Sequence, residues 1–347
     1  TEQNVSHKYL AYVKREVELM KRQLNPHRKV AQIHLGGGTP TFFTPSELGD
    51  LGKFLHVNFE FAENFEAGVE IDPRRVTKEH IAALAQNGFN RASIGVQDHN
   101  PVVQKAIHRI QPFAQTKLVV DWIREAGFKS LNIDLIYGLP HQTVASFETT
   151  LEETLTLKPN RLAVFSYAHV PWIKPAQKIL EEKILPSPET KLELLKLTIE
   201  KLTSRGYVYI GMDHFAREDD ELTISQAEKT LQRNFQGYST RGGTDIYAFG
   251  MSAVSQAEDC YWQNTKVLAE YYRSLDEGKL PITKGYILSK EDEIRRETIM
   301  RLMCDLGLDY AAMSELLRLD FKSHFATELD SLGDMEADGL LIKSAEG

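Results

Sequence analysis

The chain is predicted to be an α/β protein: a partial β/α barrel of the TIM-like type, followed by a small, mostly helical C-terminal domain. Three observations predict it. Apolar strand-like segments alternate with amphipathic helices up to about residue 213. Six of those segments finish on residues able to do chemistry: Gly36, Glu70, Gln97, Asp134, Tyr167 and Asp213. From about residue 289 the periodicity becomes helical throughout.

Leu10, Val13, Val17, Met20 and Leu24 recur at helical spacing and mark a first helix. Val30 to Leu35 is a short buried strand that runs into three successive glycines. Thr44-Pro45-Ser46-Glu47 is a capping box with proline at the first helical position, so a helix opens there. Further strands are expected near 67–71, 91–96, 131–137, 161–167 and 207–212, with helices near 78–87, 113–126, 144–157 and 188–204. Gly88, Gly127 and Gly206 follow three of these helices, and Ser187-Pro188 opens the last. Repeated βα units of this length imply parallel strands with right-handed crossovers. Residues 214–262 lose periodicity and read as an elaborated loop region with short strands. In the tail, Asp338-Gly339 turns into Leu340-Leu341-Ile342, read as a strand. The division expected is 1–275 for the barrel with its extension and 276–347 for the C-terminal domain.

A net charge of −8 gives no general attraction to nucleic acid, and no run approaches the roughly 20 apolar residues of a membrane span. Neither partner is expected. The two cysteines, Cys260 and Cys304, have no metal spacing and read as buried core residues. So few thiols in 347 residues point to a reducing compartment, the cytoplasm.

In a β/α barrel the ligand site lies at the carboxyl ends of the strands. An open doubly wound sheet would place it mainly at one switch point, and six polar strand ends suit the barrel better. The glycine run strips Cβ atoms from a loop, so its backbone can approach a ligand closely. It fits neither GxGxxG nor GxxxxGK[ST]. Glu70 and the loop carbonyls can accept from an ammonium, Arg109 can clamp a carboxylate, and Gln97 and Asp134 can hold ribose hydroxyls. Those are the demands of an amino-acid-bearing nucleoside. The plain alternatives are a strand-end turn residue for Glu70 and a solvated helix end for Arg109. His214 is weighed the same way, as a structural hydrogen-bonding residue or an acid–base group.

His34-Leu35-Gly36-Gly37-Gly38-Thr39-Pro40-Thr41 resembles the glycine motif of radical S-adenosylmethionine enzymes, which holds the methionine amino group. Four further segments narrow the resemblance: Gly95-Val96-Gln97-Asp98, Asn132-Ile133-Asp134-Leu135-Ile136-Tyr137-Gly138-Leu139-Pro140, Gly211-Met212-Asp213-His214-Phe215-Ala216, and Arg233-Asn234-Phe235-Gln236-Gly237-Tyr238. Together they resemble the oxygen-independent coproporphyrinogen III oxidase (dehydrogenase) family. The last two segments are the more specific, and the resemblance runs over essentially the whole chain.

The resemblance implies oxidative decarboxylation of two propionates of coproporphyrinogen III to vinyl groups by a 5′-deoxyadenosyl radical. The product is protoporphyrinogen IX, in porphyrin and haem biosynthesis. It implies that Gly37, Gly38, Thr39, Glu70, Gln97, Arg109, Asp134, Ala168 and Val254 contact S-adenosylmethionine, two molecules per site. A [4Fe–4S] cluster, an electron-donor protein and a monomeric state are also implied. The alternatives within the same group are a haem-binding chaperone and a haem-modifying methyltransferase. The family's CxxxCxxC cluster loop is absent from this sequence, expected upstream of Thr1. The chain is therefore read as truncated at both ends and as inactive by itself. For the polycarboxylate substrate, Arg217, Arg233 and Arg241 are candidate cations.

Overall fold

The computed structural model describes residues 2–180 and 184–347. After helix α1 (Glu2–Lys21), five βα units follow. They are β1 (Val30–Leu35) with α2 (Pro45–Asn58), β2 (Phe61–Ile71) with α3 (Lys78–Gln86), and β3 (Arg91–Gln97) with α4 (Pro101–Ala106) and α5 (Phe113–Glu125). Then come β4 (Ser130–Tyr137) with α6 (Val144–Thr156) and β5 (Arg161–Ser166) with α7 (Pro188–Thr203). The α2 capping box forms: Thr44 Oγ1 accepts from Glu47 N at 3.2 Å, and Glu47 Oε2 accepts from Thr44 N at 2.9 Å. Gly88, Gly127 and Gly206 end their helices at φ 83°, 80° and 81°, where a side chain would be strained. α1 stops at Lys21, so Leu24 sits in the following turn, not on the helix. Pro26 restricts the residue before it and prevents the helix from continuing.

Strands β1 to β5 pair in parallel and in chain order. The sixth position differs from the expectation of six successive strand ends. β6 (Tyr207–Gly211) turns back at once into β7 (His214–Arg217), which inserts antiparallel between β5 and β6. The cause is local: Gly211, Met212 and Asp213 all have positive φ (131°, 43° and 68°) and reverse the chain.

Parallel sheets covered on both faces read as continuous apolar runs. Here the strands alternate, because one face is left open. In Arg91–Gln97 the residues Ala92, Ile94 and Val96 are buried with Leu131, Ile133, Leu135, Leu162 and Val164 under the helices. The opposite face carries Glu66, Gly68, Glu70, Ser93, Gly95, Asn132, Asp134 and Ala163, and curls into the concave interior of a partial barrel. At the amino ends of the strands this face is floored by a ladder of polar pairs. Gln32 donates to Glu66 at 2.8 Å, Glu66 pairs with Arg91 at 3.1 Å, and Arg91 and Arg161 both reach Glu221. Glu221 opens α8 (Glu221–Ala227), whose N-cap Asp220 pairs with Arg161 at 3.0 Å.

β8 (Gln232–Asn234) and β9 (Gly237–Ser239) form a hairpin. β10 (Val254–Gln256), β11 (Cys260–Asn264) and β12 (Ile282–Ile287) form a second, antiparallel sheet, with α9 (Leu268–Asp276) between its last two strands. Cys304, in α10 (Lys290–Asp305), is buried with Ile210, Ala216, Leu222 and Leu231, so this helix covers the β6–β7 end of the sheet. Cys260 is only half-buried in β11, contrary to the expectation that both cysteines are core residues. α11 (Tyr310–Leu317), α12 (Phe321–His324), α13 (Ala326–Asp330) and α14 (Gly333–Ala337) complete the chain around Tyr310, Met313, Phe321 and Phe325. Leu340 to Ile342 form no strand: Leu340 and Ile342 are exposed, and the tail crosses α11 through one bond, from Tyr310 N to Glu346 O. Among the described residues, no helix is long and apolar enough to cross a membrane.

Candidate active site

The site grows from the carboxyl end of the open sheet face. β1 delivers the chain into Gly36-Gly37-Gly38, where Gly37 takes φ 92°. Its N–H donates to Glu70 Oε2 at 3.3 Å, and His34 Nε2 lies 3.3 Å from Glu70 Oε1. A Cβ on Gly36 would stand 2.6 Å from His34 Nε2 and 2.7 Å from Glu70 Oε1, so glycine is what keeps this carboxylate against the loop. Gly38 has open space around it. Thr39 is extended before Pro40, as a residue preceding proline should be, and its hydroxyl makes no capping bond.

On β3, Gly95 leaves room for Arg109, whose guanidinium donates to the Gly95 carbonyl at 2.8 Å and lies 3.5 Å from Asp72. Asp72 is engaged mainly by Arg74, at 2.6 to 3.2 Å. Burial opposes its ionisation, but the Arg74 hydrogen bonds and the Arg109 charge hold its carboxyl below the usual range. Arg109 Nε is buried with no partner among the described residues. This arginine is thus half-buried and incompletely paired, not the solvated helix end of the plain alternative. Gln97 ends β3 at φ 71°, where the β3–β4 register slips by one residue.

Asp134 lies within β4, three residues short of its end rather than at it, opposite Gly95 on one side and Ala163 on the other. Asn132 Nδ2 donates to its Oδ1 at 2.7 Å, and Ser93 Oγ to its Oδ2 at 3.2 Å. Desolvation pushes its carboxyl up to about 6, outweighing those bonds, with Glu70 adding repulsion and Arg109 attraction. Glu70, Arg109 and Asp134 therefore form one electrostatic cluster. A carboxyl raised in the fold contributes stability that is complete below pH 4 and is lost as pH rises through 6. The loss from Asp134 is at most about 3 kcal/mol, less with solvent screening. Asp134→Asn is expected to keep the fold and flatten that decline in urea unfolding from pH 4 to 7. An unchanged pH slope would contradict it.

Two predicted residues come from other elements and carry no charge to add to this cluster. Ala168 follows β5, exposed, with its carbonyl accepting from Gln177 at 3.0 Å. Val254 opens β10 in the second sheet. Asp213 lies in the β6–β7 turn. His214 shares the open face with Asp134, since both pair with Ala163, and lies two strands away, about 10 Å. It donates from Nδ1 to Met212 O at 2.7 Å, which leaves Nε2 as an acceptor, and burial lowers its basicity. It thus combines a structural anchor with a ring that faces the site. Its edge meets Phe165 (5.8 Å) and Tyr238 (5.4 Å), and the Arg233 guanidinium lies 5.4 Å over the Tyr238 ring with its Nε buried and unpartnered among the described residues. Arg217 is exposed and paired with Asp219, and points to the opposite face of β7 from His214. Arg241 donates to Asn64 O, which lies roughly 20 Å up β2 from Glu70. Those two are removed from the site.

Sequence reasoning missed Ser93, Asn132 and Asp72. The period-2 alternation of β3 and β4 carries the signal for the first two.

Residues 4–154 match the radical SAM superfamily and residues 288–347 the HemN C-terminal domain. The oxygen-independent coproporphyrinogen III oxidase of Helicobacter pylori is 47% identical over 341 residues, 98% of this chain and 75% of the relative. The enzyme of that name from Escherichia coli is 43% identical over 346 residues, 100% of this chain and 76% of the relative. The chain belongs to the oxygen-independent coproporphyrinogen III oxidase family. The solved structure of coproporphyrinogen III oxidase (HemN) from Escherichia coli, described as a radical SAM enzyme, matches with a TM-score of 0.96 at 43% identity, over 99% of this chain and 79% of that one.

Radical SAM membership implies S-adenosylmethionine and a [4Fe–4S] cluster. The first fits the residues present: a glycine cradle that a Cβ at Gly36 would crowd, a carboxylate beside it, and a buried guanidinium nitrogen without a partner. The second does not fit them. Cys260 and Cys304 lie in separate elements, and no group of three or more His, Cys, Asp or Glu among the described residues is placed to hold metal.

Proposed function

We propose that this oxidase-family chain takes coproporphyrinogen III as substrate and, when joined to the cluster ligands it lacks, decarboxylates two propionates to vinyl groups, giving protoporphyrinogen IX without oxygen. The observation that carries the reading is the likeness at 43–47% identity to enzymes of that name over both the barrel and the C-terminal helices. S-adenosylmethionine, when bound, supplies the one-electron chemistry; the protein positions and shields.

In this reading Gly37, Gly38 and Thr39 line the amino-acid end, Glu70 accepts from the ammonium, and Arg109 clamps the carboxylate. Gln97 and Asp134 hold hydroxyls, and Ala168 and Val254 add backbone or apolar contacts. Two S-adenosylmethionine molecules share the pocket. The small residues Gly95 and Ala163 flank Asp134 on the open face. The other half of the open face suits the tetrapyrrole. Phe165 offers a flat apolar surface, and Arg233, held over Tyr238, offers a cation to a propionate. Neutral His214 between them can accept a hydrogen bond through Nε2. Two further parts of the reading rest on the sequence: a barrel core at 1–275 joined to a helical domain at 276–347, and work as a cytoplasmic monomer served by an electron-donor protein. Two free thiols agree with a reducing compartment.

The test is an anaerobic assay of this chain joined to a segment that supplies the cluster cysteines, with coproporphyrinogen III, S-adenosylmethionine and a reductant. Protoporphyrinogen IX is the expected product. Stoichiometric haem binding without turnover, or methylation of haem, would overturn the reading.

A further inference from the structure

Behind the site, on the helical side of the sheet, a second set of polar groups is wholly buried. Asp98, Gln111 and Thr116 have no exposed surface, and Gln104, Gln142 and Thr150 almost none. Apolar residues of similar size would fill this space at less desolvation penalty, so the geometry these groups impose needs an explanation.

Their bonds converge on Asp98. Its Oδ1 accepts from Asn100 N at 2.6 Å and Thr150 Oγ1 at 2.8 Å, and its Oδ2 from Gln142 Nε2 at 2.5 Å. Its carbonyl accepts from Gln104 Nε2 at 2.9 Å. Gln104 in turn brackets Gln111, donating to its carbonyl at 2.6 Å and accepting from its N–H at 2.9 Å. Arg109 N donates to the Gln104 carbonyl at 2.8 Å. On the other side, Gln142 accepts from Leu139 N at 3.0 Å and donates to Ile136 O at 2.9 Å. One carboxylate thus ties the loop after β3 to the loop after β4 and to α6.

The end of β3 and the loop after it carry two predicted site residues, and both adjoin this hub. Gln97 immediately precedes Asp98 and sits at φ 71°, a conformation that persists only where its surroundings over-determine it. Arg109 is carried on the turn that Gln104 and Gln111 close. We propose that Asp98 is a positioning residue for cofactor binding: through Gln142, Thr150 and Gln104 it sets the geometry of Gln97 and Arg109 from behind the sheet. The inference rests on the reading of Gln97 and Arg109 as S-adenosylmethionine contacts. Only an acceptor works at this position, because every group facing the carboxylate is a donor. An asparagine there would set its –NH2 against the Gln142 Nε2 or the Asn100 N–H donor.

The experiment is calorimetric titration of S-adenosylmethionine into the protein, with far-UV circular dichroism and thermal unfolding on each variant. Asp98→Asn is expected to weaken affinity at least tenfold at a temperature where it is fully folded. Thr150→Val, which removes one donor without changing side-chain shape, is the milder variant should Asp98→Asn fail to fold, and is expected to weaken affinity several-fold. Leu202→Ala, a large-to-small change in α7 that removes none of the hub's hydrogen bonds, should lose as much thermal stability and keep the parent affinity. Gln97→Ala and Arg109→Ala separate the two levels of the argument. If they weaken binding while the folded hub variants do not, the positioning role is wrong. If they too leave affinity unchanged, the site reading itself fails and takes the hub with it.

Discussion

Replacing Glu16 by alanine is expected to lower the stability of the protein by about 3–5 kcal/mol, the largest single effect on folding. Glu16 is 1% exposed, on the buried side of α1. Burial raises its carboxyl, against three hydrogen bonds that favour the charged form. Gly250 N donates to it at 2.8 Å, Asn264 Nδ2 at 2.6 Å and Tyr271 OH at 2.6 Å. These donors come from the irregular region around 250, from β11 and from α9, so one side chain fastens α1 to the second sheet and its helix. Alanine leaves Gly250 N and Tyr271 OH buried without this acceptor, while Asn264 Nδ2 keeps its bond to Gly250 O at 2.9 Å, and each orphan costs about 1–3 kcal/mol before relaxation. Glu16→Gln keeps most of the contacts and is expected to cost far less. Urea unfolding of the two variants measures this; a loss under about 1 kcal/mol for Glu16→Ala would show that the donors find other partners.

Arg109→Ala is expected to weaken S-adenosylmethionine binding by about 2–4 kcal/mol, a factor of roughly 30 to 1,000. The magnitude follows from what the guanidinium lacks. Among the described residues it has a neutral carbonyl, one distant carboxylate at 3.5 Å and a buried Nε with no partner, so a ligand carboxylate would be its first close anion. Arg109→Lys should recover only part of the loss, because a point charge cannot reproduce the planar fork. Equilibrium dialysis with labelled S-adenosylmethionine reads the effect directly. An affinity within twofold of the parent would remove Arg109 from the site.

The barrel was legible in the sequence because its signals are local. Strand alternation, capping boxes and C-terminal glycines each act within a few residues, and the helix boundaries they predict fall within two residues of the observed ones from α3 to α7, apart from the short α4. The insertion of β7 was not legible. It depends on three consecutive positive-φ residues, of which only Gly211 belongs to a type that adopts them freely. The strand at Leu340–Ile342 fails for the converse reason: apolar content alone forms no strand without an edge to pair with. In the site, Glu70 was picked out by residue type at a strand end, Arg109 by its planar charge on the loop after α4, and Asp134 by residue type alone, since it lies three residues short of its strand's end. Ala168 and Val254 carry no side-chain chemistry and enter through family resemblance alone. The Asp98 hub was hidden because Asp98, Gln104, Gln111 and Gln142 read as surface residues until the fold buries them.

The central claim is that S-adenosylmethionine occupies the open, polar face of the sheet between β1 and β4. A structure of the protein with S-adenosylmethionine bound tests it most directly. The ligand carboxylate should lie within hydrogen-bond distance of Arg109, its ammonium at Glu70 and the glycine loop, and its ribose at Gln97 or Asp134. A ligand bound elsewhere, with Glu70, Arg109 and Asp134 untouched, would contradict the account.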